Sequence, residues 1–514
     1  MNGAESLVRT LIAGGVDTCF TNPGTSEMHL VAQLDRFAGI RCVLGLFEGV
    51  VSGAADGYAR MSGNPGCTLL HLGPGLANSL ANLHNANRAQ VPILNIVGQH
   101  ATYHLGHNTP LESDIEALAR TNSKWLRTSG ASMELGRDAA EAIYAARLAP
   151  AGISTLIVPA DVAWGEGGTV GEISPRPTAP LPENSNIEHA AALLRTGLRT
   201  ALILGGAALH SKGLAAAGRI AAGTNVKLLA PYPFTRMERG AGLPCVNRIP
   251  YVFEQAAERL KEFSQIILVG AAAPISYFAT QDRSTVPAPG HCVIHKLVGP
   301  EQDSAAALEE LAEALGLGNG RIQTEERNAA GIPTGEITLP GIAAVVAGLL
   351  PENVIVVDES MTSGHGMMTA SAGAPPHDWL VNTGGSIGIA MPLAVGAAVA
   401  CPSRRVLCLS ADGSGMYTQQ ALWSMAREGL NVTTVVFANR TYGVLKREFS
   451  NLGIGTPGPR ALSLFEIGRP DINWVSLAES MGVPASRTTS LDQFAVALRN
   501  GLASEGPTLV EVPL

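Results

Sequence analysis

Short apolar runs alternate with helix-like segments along the whole chain, and most runs stop at a polar residue or a glycine. This alternation is typical of buried parallel strands that are joined by crossover helices. It therefore predicts an α/β protein. The runs that fit a strand are 18–20, 41–46, 67–72, 93–97 and 154–158, then 201–204, 226–229, 265–269 and 292–295, then 354–357, 405–410, 432–438 and 508–512.

Two segments that are rich in proline, glycine and polar residues interrupt the alternation. They cover residues 164–185 and 316–340, and their composition is typical of interdomain linkers. A chain of 514 residues has room for about three domains. We therefore predict three consecutive parallel-sheet α/β domains, at residues 1–165, 183–320 and 335–514.

Composition excludes several classes of protein. The net charge is −8 and no block of lysine or arginine occurs, which argues against nucleic acid as a partner. The seven cysteines form no Cys-x-x-Cys pair, as expected for reduced thiols, and the first residues lack the pattern of a secretory signal, so we expect a cytoplasmic protein. The longest weakly polar run, 387–401, contains Pro392 and is too short to span a membrane, so it predicts a buried helix.

The strongest chemical signal lies in the third predicted domain, where two neighbouring strands end in polar residues. Asp412 follows the apolar run that begins at Val406, and Asn439 follows the run 432–438. Ligands of open α/β sheets bind at the carboxyl ends of the strands, so one carboxylate and one amide oxygen arrive together. Mg²⁺ prefers hard oxygen ligands that it shares with phosphate and water. We predict Asp412, Asn439 and the backbone carbonyl of Thr441 as magnesium ligands.

The residues around Asp412 suit a phosphate group. Gly413 allows the backbone to approach a phosphate, and Ser414 can cap the next helix and offer a hydroxyl group. We therefore predict a magnesium–diphosphate site. The alternative is an ordinary strand–loop–helix corner with a helix-capping serine.

This spacing resembles that of the thiamine diphosphate (ThDP) enzymes, which carry Gly-Asp-Gly, a spacer of this length and then Asn-Asn. Ala411 and Ala438 replace the first glycine and the first asparagine, and both changes spare the expected metal ligands. The order of the three domains also resembles the pyrimidine-binding, middle and diphosphate-binding domains of that family. The resemblance implies ThDP and Mg²⁺ as cofactors, with Tyr442 as a further cofactor contact.

Glu48 stands at the end of a predicted strand and in front of a helix that carries Asp56-Gly57-Tyr58-Ala59-Arg60. The segment resembles the family pattern of a glutamate followed by a helix that ends in Asp/Glu-Gly-Tyr-Ala-Arg. The resemblance implies that Glu48 binds the pyrimidine N1′ atom of ThDP and favours the 4′-imino form, which is the base of the reaction. A solvated or helix-capping glutamate is the alternative.

Two other segments of the first domain resemble known family members. The turn 22–27 resembles the Asn-Pro-Gly-Ser-Asn-Glu turn of benzoylformate decarboxylase, which makes Thr25 a candidate for binding the substrate carboxylate. A helix N-cap at Thr25 or Ser26 is the alternative. His71 matches a proton-transfer histidine of the same enzyme type, and an imidazole suits that role near neutral pH. Asn78, after the Gly-Pro-Gly that follows His71, is typical of acetolactate synthase-like chains, and we predict it as a cofactor contact.

Three more segments resemble cofactor-binding loops of the family. In segment 382–392 the resemblance implies that the carbonyl of Gly385 accepts from the 4′-amino group and that Ile387 lies between the two rings of the cofactor. In segment 358–365 it implies that Thr362 donates to the diphosphate. In the middle domain, segment 270–275 replaces the Gly-Ala-Arg-Phe-Asp-Asp of FAD-binding members, which makes FAD possible but doubtful.

The resemblance implies a small-molecule 2-oxo acid as substrate, with no role for a membrane. An enamine intermediate is then either protonated to an aldehyde, as in a decarboxylase, or added to a second carbonyl, as in a carboligase. Thr25, His71 and Leu111 favour the benzoylformate decarboxylase type, whereas Gly73-Pro74-Gly75 and His365 favour the acetolactate synthase type.

The family also implies a homodimer or homotetramer in which Glu48 and Asp412 of different subunits share one site. The alternatives are an FAD-containing acetolactate synthase or pyruvate oxidase-type enzyme, a lyase of 2-hydroxyacyl compounds, and a ThDP-binding relative without catalytic activity. A plain nucleotide-binding α/β protein is a further alternative.

Overall fold

Three β-sheets flanked by helices follow one another along the chain, which confirms the predicted α/β fold. The computed structural model describes residues 1–279, 281, 284–328 and 331–514. The sheets are parallel except for one antiparallel pair at the edge of the third sheet. The domain boundaries at 165, 183, 320 and 335 remain a prediction.

The first sheet has six strands in the order β2-β1-β3-β4-β6-β5, and all of them are parallel. The strands are β1 (Thr18–Asn22), β2 (Arg41–Leu44), β3 (Gly66–Leu70), β4 (Ile93–Gln99), β5 (Trp125–Thr128) and β6 (Ile153–Pro159). The helices are α1 (Gly3–Ala13), α2 (Met28–Arg36), α3 (Glu48–Ser62), α4 (Leu72–Ala89), α5 (Ile115–Arg120), α6 (Leu135–Arg147) and α7 (Ala160–Trp164). Two 3₁₀ turns cover Thr25–Glu27 and Thr102–His107.

The middle sheet has five strands in the order β10-β8-β7-β11-β12. The strands of this part of the chain are β7 (Thr200–Leu204), β8 (Val226–Ala230), β9 (Arg236–Arg239), β10 (Asn247–Arg248), β11 (Gln265–Val269) and β12 (Val293–Val298). The helices are α8 (Asn184–Arg195), α9 (Ser211–Gly223), α10 (Phe253–Leu260) and α11 (Ser304–Ala314), with a 3₁₀ turn at Gly206–Leu209. Strand β9 lies between β8 and β10 along the chain but belongs to the third sheet.

The third sheet has seven strands in the order β17-β18-β16-β15-β13-β14-β9. Its further strands are β13 (Ile355–Asp358), β14 (His377–Val381), β15 (Val406–Ala411), β16 (Val432–Ala438), β17 (Ala485–Arg487) and β18 (Thr508–Pro513). The helices are α12 (Leu339–Leu349), α13 (Met367–Ala370), α14 (Ala390–Ala400), α15 (Asp412–Gly415), α16 (Ala421–Arg427), α17 (Gly443–Asn451), α18 (Pro459–Phe465), α19 (Trp474–Ser480) and α20 (Leu491–Ala503). Strand β9 pairs antiparallel with β14.

The first and third domains meet through two closely packed helices, α3 and α14. A Cβ atom at Gly57 of α3 would collide with the carbonyl of Leu393, and one at Gly396 of α14 would collide with the carbonyl of Ala54. Glycine at these positions therefore allows the two backbones to touch. Residues 390–399 are all buried, which confirms the prediction of a buried helix in segment 387–401. Among the described residues, no helix is both long and apolar enough to cross a membrane.

A buried arginine joins all three domains. The guanidinium of Arg60 and the carboxylate of Asp56 form an ion pair in which neither side chain is exposed. Arg60 also donates to the carbonyls of Thr235 in the middle domain and Val381 in the third, and to the hydroxyl of Thr383. Its guanidinium therefore fixes the first domain against both of the others.

We expect Arg60→Ala to lower the free energy of unfolding by about 3–5 kcal/mol, because it leaves the carboxylate of Asp56 buried without its partner. Urea denaturation followed by circular dichroism measures the change. Arg120→Ala is the matched control, since Arg120 pairs with Glu116 at the same i,i+4 spacing but with side chains that are 70% and 50% exposed. Equal losses in the two variants would contradict the role given to Arg60.

Candidate active site

Polar residues follow the carboxyl ends of neighbouring strands in the first sheet. Strands β2, β1 and β3 are adjacent, and Glu48, Glu27 and His71 lie in the segments that follow them. Because the strands are parallel, these three side chains reach the same edge of the sheet. The carboxyl-terminal end of these strands is therefore the part of the first domain where a ligand can be contacted.

Glu48 is the first residue of α3, and it is 8% exposed. Two amide groups donate to its carboxylate: Asn22 Nδ2 lies 3.2 Å from Oε1, and Asn78 Nδ2 lies 2.9 Å from Oε2. A carboxylate held at both oxygens has a fixed orientation, which suits a group that must bind one atom of a cofactor. Asn78, predicted from sequence as a cofactor contact, binds Glu48 in this structure.

His71 forms a hydrogen-bonded pair with a buried glutamate that the sequence analysis did not select. The Nδ1 atom of His71 lies 2.8 Å from Oε2 of Glu27, whose side chain is fully buried. Burial raises the pKa of Glu27, and the nearby His71 partly offsets that effect. A Cβ atom at Gly24 would collide with the imidazole, and one at Gly98 would collide with the Glu27 carboxylate, so both glycines make room for the pair.

Thr25 lies beside this pair at the surface. It begins the 3₁₀ turn Thr25–Glu27 and is exposed. The alternative of a capping residue at Thr25 or Ser26 does not hold, because Gly24 is the N-cap and its backbone N–H donates to Glu27 Oε2 over 2.9 Å. The hydroxyl of Thr25 is thus available to a ligand at the edge of the sheet.

We expect Glu27→Gln to change the pH dependence of turnover. The ionised Glu27 holds the imidazole of His71, and protonation of that carboxylate weakens the contact as the pH falls. Since burial raises the pKa of Glu27 above its ordinary value of 4.5, the loss of activity should begin above that pH in the wild-type enzyme. Rate measurements between pH 5 and 8 should show this acid limb in the wild type and its absence in Glu27→Gln.

In the third sheet, four adjacent strands end in polar residues. The strands β16, β15, β13 and β14 are neighbours in that order. Asn439, Asp412, Glu359 and Asn382 are the residues that follow them. This edge therefore concentrates carboxylate and amide groups, as the sequence predicted for Asp412 and Asn439.

Asp412 is buried and receives two backbone hydrogen bonds. Its Oδ2 accepts from the N–H of Arg440 over 2.7 Å, and its Oδ1 accepts from the N–H of Gly413 over 2.9 Å. Burial raises the pKa of Asp412, and the backbone hydrogen bonds from Arg440 and Gly413 oppose that effect. The contact with Arg440 brings the loop after β16 directly against the residue that follows β15.

The loop after β16 places Asn439 and Thr441 beside Thr362. Asn439 Nδ2 donates to Thr362 Oγ1 over 3.3 Å, and Asn439 Oδ1 accepts from the N–H of Thr441 over 3.1 Å. The carbonyl of Thr441 already accepts from the N–H of Gly443 over 2.9 Å. The Oδ1 atom of Asn439 and the carbonyl oxygen of Thr441 each retain a second lone pair for a metal ion.

Three further predicted residues lie close to Asp412. Gly413 is buried, and a Cβ atom there would lie 2.6 Å from the ring of Tyr442, so the two residues are in contact. Ser414 lies within α15, whose N-cap is Ala411, so it does not cap the helix as predicted; its hydroxyl donates to the carbonyl of Ala411 over 3.2 Å. The guanidinium of Arg440 pairs with Asp471 at 2.8 Å and not with Asp412.

The predicted loop beneath the cofactor bend connects β14 to α14. Gly385 adopts a φ of +81°, a backbone conformation that favours glycine. Its N–H donates to Asn382 Oδ1 over 2.8 Å. Ile387 is partly exposed two residues later. Helix α4 of the first domain contacts the loop, because Asn85 Nδ2 donates to the carbonyl of Ser386 over 2.8 Å.

Glu48 and Asp412 of one chain bind different partners. The hydrogen bonds given above keep Glu48 among first-domain residues and Asp412 among third-domain residues. Along α4, Asn78 contacts Glu48 and Asn85 contacts the third-domain loop, and seven residues of helix separate these contacts by about 10 Å.

The residues at the two edges fit ThDP and Mg²⁺. The side chains of Asp412 and Asn439, together with the carbonyl of Thr441, form a donor set of hard oxygens, which Mg²⁺ prefers. Gly413 provides a backbone surface next to them, and Glu48 provides a fixed carboxylate in the other domain. Among the described residues, no group of three or more His, Cys, Asp or Glu side chains forms a separate metal site.

A cavity of about 1040 Å³ lies between the first and middle domains and reaches Gly384 of the loop between β14 and α14. The cavity opens at the carboxyl ends of β7 and β11. These two strands are adjacent at the point where the strand order of the middle sheet reverses. Three neighbouring tyrosines line it, with ring centroids 4.9–6.0 Å apart: Tyr232, Tyr251 and Tyr277.

Comparison with known proteins agrees with this geometry. Residues 1–118 match the thiamine pyrophosphate enzyme, N-terminal TPP binding domain, and residues 362–512 match the thiamine pyrophosphate enzyme, C-terminal TPP binding domain. The first match contains Glu48 and His71, and the second contains Asp412 and Asn439.

Relatives of the whole chain carry two kinds of name. The chain is 48% identical to IlvX of Mycobacterium tuberculosis, whose name places it with acetolactate synthase large subunits; the match covers 100% of this chain and 99% of that protein. It is 26% identical to benzoylformate decarboxylase of Pseudomonas aeruginosa, over 97% of this chain and 96% of that protein.

A solved structure has the same fold. The ThDP-dependent 4-hydroxybenzoylformate decarboxylase of Rhodococcus jostii RHA1 superposes with a TM-score of 0.84 at 24% identity, covering 100% of this chain and 99% of that one. With two domain matches, a relative at 48% identity and a shared fold, the chain belongs to the thiamine pyrophosphate enzyme family.

Proposed function

We propose that this protein is a ThDP- and Mg²⁺-dependent enzyme that removes CO₂ from a 2-oxo acid. The observation that carries the proposal is Glu48, a buried carboxylate held at both oxygens by amide groups. Such a carboxylate suits the pyrimidine ring of ThDP, where it favours the basic form of the cofactor.

When bound, ThDP supplies the electron sink that allows a 2-oxo acid to lose CO₂. In our proposal, Asp412, Asn439 and Thr441 hold Mg²⁺. Thr362, Gly413, Ser414 and Tyr442 surround the diphosphate, and Glu48, Asn78, Gly385 and Ile387 surround the pyrimidine ring and the bend.

His71 and Thr25 act on the substrate in this proposal. Because the Nδ1 atom of His71 is bound to Glu27, Nε2 is the ring nitrogen that exchanges a proton with the reacting group. The buried Glu27 keeps the imidazole in one orientation, which general acid–base catalysis requires. The exposed hydroxyl of Thr25 lies at the same edge and binds the substrate carboxylate.

The fate of the acyl group separates two outcomes. Protonation gives an aldehyde, the product type of a simple decarboxylase, whereas addition to a second carbonyl gives a 2-hydroxy ketone; one relative is named benzoylformate decarboxylase. The Glu27–His71 pair favours the aldehyde, since it places a proton donor at the site. Mass spectrometry of the organic product distinguishes the two outcomes.

We also infer a homodimer or homotetramer as the active form. The separation along α4 supports it, because Glu48 contacts one part of that helix while the third-domain loop of its own chain contacts another. A second copy can then bring its Asp412 to the Glu48 of the first. Sedimentation velocity tests the assembly: a monomer that is fully active would contradict it.

A flavin-containing enzyme is a second candidate, favoured by the cavity next to Gly384. Its volume is at the upper end of the range for small-molecule sites. The FAD-binding pattern of some family members is replaced at residues 270–275, however. A purified protein that releases flavin fluorescence on denaturation would establish this candidate, and a colourless protein that is active with added ThDP would exclude it.

Isothermal titration of ThDP in Mg²⁺ and in EDTA tests the cofactors. We expect tight binding only when Mg²⁺ is present, because the oxygen donors around Asp412 need the ion to hold a diphosphate. Equal binding in EDTA would contradict the metal site, and no binding in either buffer would contradict the proposed function.

A further inference from the structure

A buried carboxylate lies beneath the loop that we propose to hold the cofactor bend. Glu359 directly follows β13, and it is only 3% exposed. The function proposed above assigns it no role. Its position between the loop of Thr362 and the loop of Gly385 makes it the group that connects the two cofactor loops.

Three groups of the loop that contains Gly385, or of the helix that follows it, donate to the Glu359 carboxylate. Asn382 Nδ2 lies 2.9 Å from Oε1, and the N–H of Gly388 lies 3.1 Å from the same oxygen. The N–H of Ala390, the first residue of α14, lies 3.1 Å from Oε2. The side chain therefore fixes the start of the loop, its end and the beginning of the helix.

The contact with Asn382 extends to Gly385 and Ser386. The Oδ1 atom of Asn382 accepts from the N–H of Gly385 over 2.8 Å, and its Nδ2 also donates to the carbonyl of Ser386 over 2.7 Å. The orientation of the Gly385 peptide thus depends on Asn382, which Glu359 holds. Gly388 has a φ of +94°, a conformation open to glycine, so its N–H can turn towards the Glu359 carboxylate.

The surroundings of Glu359 suit its ionised form. The hydrogen-bond partners that the structure gives it are donors, and the beginning of a helix favours a negative charge. Among the described residues, the titratable groups that interact with it are Cys408 of β15 and Tyr232 of the middle domain, and Asp358 precedes it in the chain. Burial raises the pKa of Glu359 to about 7, so the carboxylate changes charge near neutral pH.

We propose that Glu359 is a positioning residue for ThDP: it sets the carbonyl of Gly385 and the side chain of Ile387 without touching the cofactor. The inference rests on the proposed function, because it supposes that this loop binds the pyrimidine ring. Protonation would add a donor where the loop already presents donors, and the loop would lose its fixed shape.

The test compares Glu359→Gln with Asp138→Asn. Glutamine keeps the size of the side chain but points an amide at a backbone N–H, so we expect the dissociation constant of ThDP, measured with Mg²⁺, to rise by about 10- to 100-fold. Asp138 is the matched control, because it is 1% exposed and accepts from Arg127 and Ser129 on the far side of the first domain. Asp138→Asn should lower stability and leave ThDP binding unchanged.

The pH dependence separates positioning from a general loss of stability. In the wild type we expect ThDP binding to weaken as the pH falls below about 7, where Glu359 becomes protonated. The affinity of Glu359→Gln for ThDP should not show this change with pH. An unchanged pH dependence in the variant, or a loss of affinity no larger than that of Asp138→Asn, would overturn the inference.

Hydrogen exchange without cofactor gives an independent readout. The amides of Gly388 and Ala390 should be protected in the wild type and exchange faster in Glu359→Gln, and unchanged protection would overturn the inference. Failure of the proposed function looks different: the wild-type chain itself would then bind no ThDP. Normal ThDP binding by both proteins would overturn only the role of Glu359.

Discussion

Glu48→Gln should lower the turnover of a 2-oxo acid by about 10²- to 10⁴-fold, the range by which a positioned acid or base accelerates a reaction. Glutamine fills the same space, and its carbonyl oxygen still accepts from one of the two asparagines that hold Glu48, Asn22 and Asn78. It cannot share a proton with the pyrimidine ring, so the cofactor remains in its non-basic form. ThDP should stay bound, which titration calorimetry measures separately.

Glu5→Gln is the control for this variant. Glu5 lies in the first turn of α1, as Glu48 lies in the first turn of α3, and among the described residues it pairs with two surface arginines, Arg9 and Arg36. We expect its activity to equal that of the wild type. Wild-type turnover in Glu48→Gln would contradict the assigned role, and loss of ThDP binding in that variant would reduce Glu48 to a structural residue.

Asp412→Asn should weaken ThDP binding in the presence of Mg²⁺ by at least about a hundredfold. The amide keeps the size of the side chain and an oxygen that accepts from the backbone of Arg440, but it removes the negative charge that attracts the metal ion. Titration at several Mg²⁺ concentrations should show that excess metal restores part of the affinity. The nearby Asp471→Asn is the control, because Asp471 is exposed and its carboxylate accepts from the guanidinium of Arg440.

The same two variants test whether subunits share the site. A mixture of Glu48→Gln and Asp412→Asn chains that have exchanged subunits should recover about a quarter of the wild-type activity, since half of the dimers would carry one intact pair of residues. If each site belonged to one chain, the mixture would remain inactive.

Strands with a continuous apolar sequence could be predicted from the sequence. The bounds of β11 and β16 coincide with the predicted runs 265–269 and 432–438. Strand β5 was missed because it is a partly exposed edge strand with an arginine. Strand β14 was missed because it begins with His377 and Asp378, polar residues that a strand buries only when distant partners bind them.

Strand β9 depends on such a partner too. Its residues Arg236 and Glu238 give no apolar pattern, and the strand forms against β14, where Arg236 pairs with Asp378 at 2.6 Å. No local signal in the sequence indicates this contact.

Some residues of the candidate site could likewise be predicted from the sequence, and others could not. Asp412 and Asn439 follow strands directly, and Glu48 comes four residues after β2, so the strand-end rule selects all three from sequence. Glu27 and Glu359 were missed, although Glu359 also follows a strand. Their roles come from residues far along the chain: His71 lies 44 positions from Glu27, and Ala390 lies 31 positions from Glu359. Only the folded sheets bring these groups together.

Release of CO₂ from a panel of 2-oxo acids, with and without ThDP and Mg²⁺, tests the central claim most directly. The panel should contain pyruvate, 2-oxobutyrate, and branched and aromatic acids, because the pocket determines which side chain is accepted. We predict CO₂ from at least one acid, with full dependence on both cofactors. No CO₂ from any acid, while ThDP is bound, would contradict the claim and favour a lyase of 2-hydroxyacyl compounds or a ThDP-binding protein without catalytic activity.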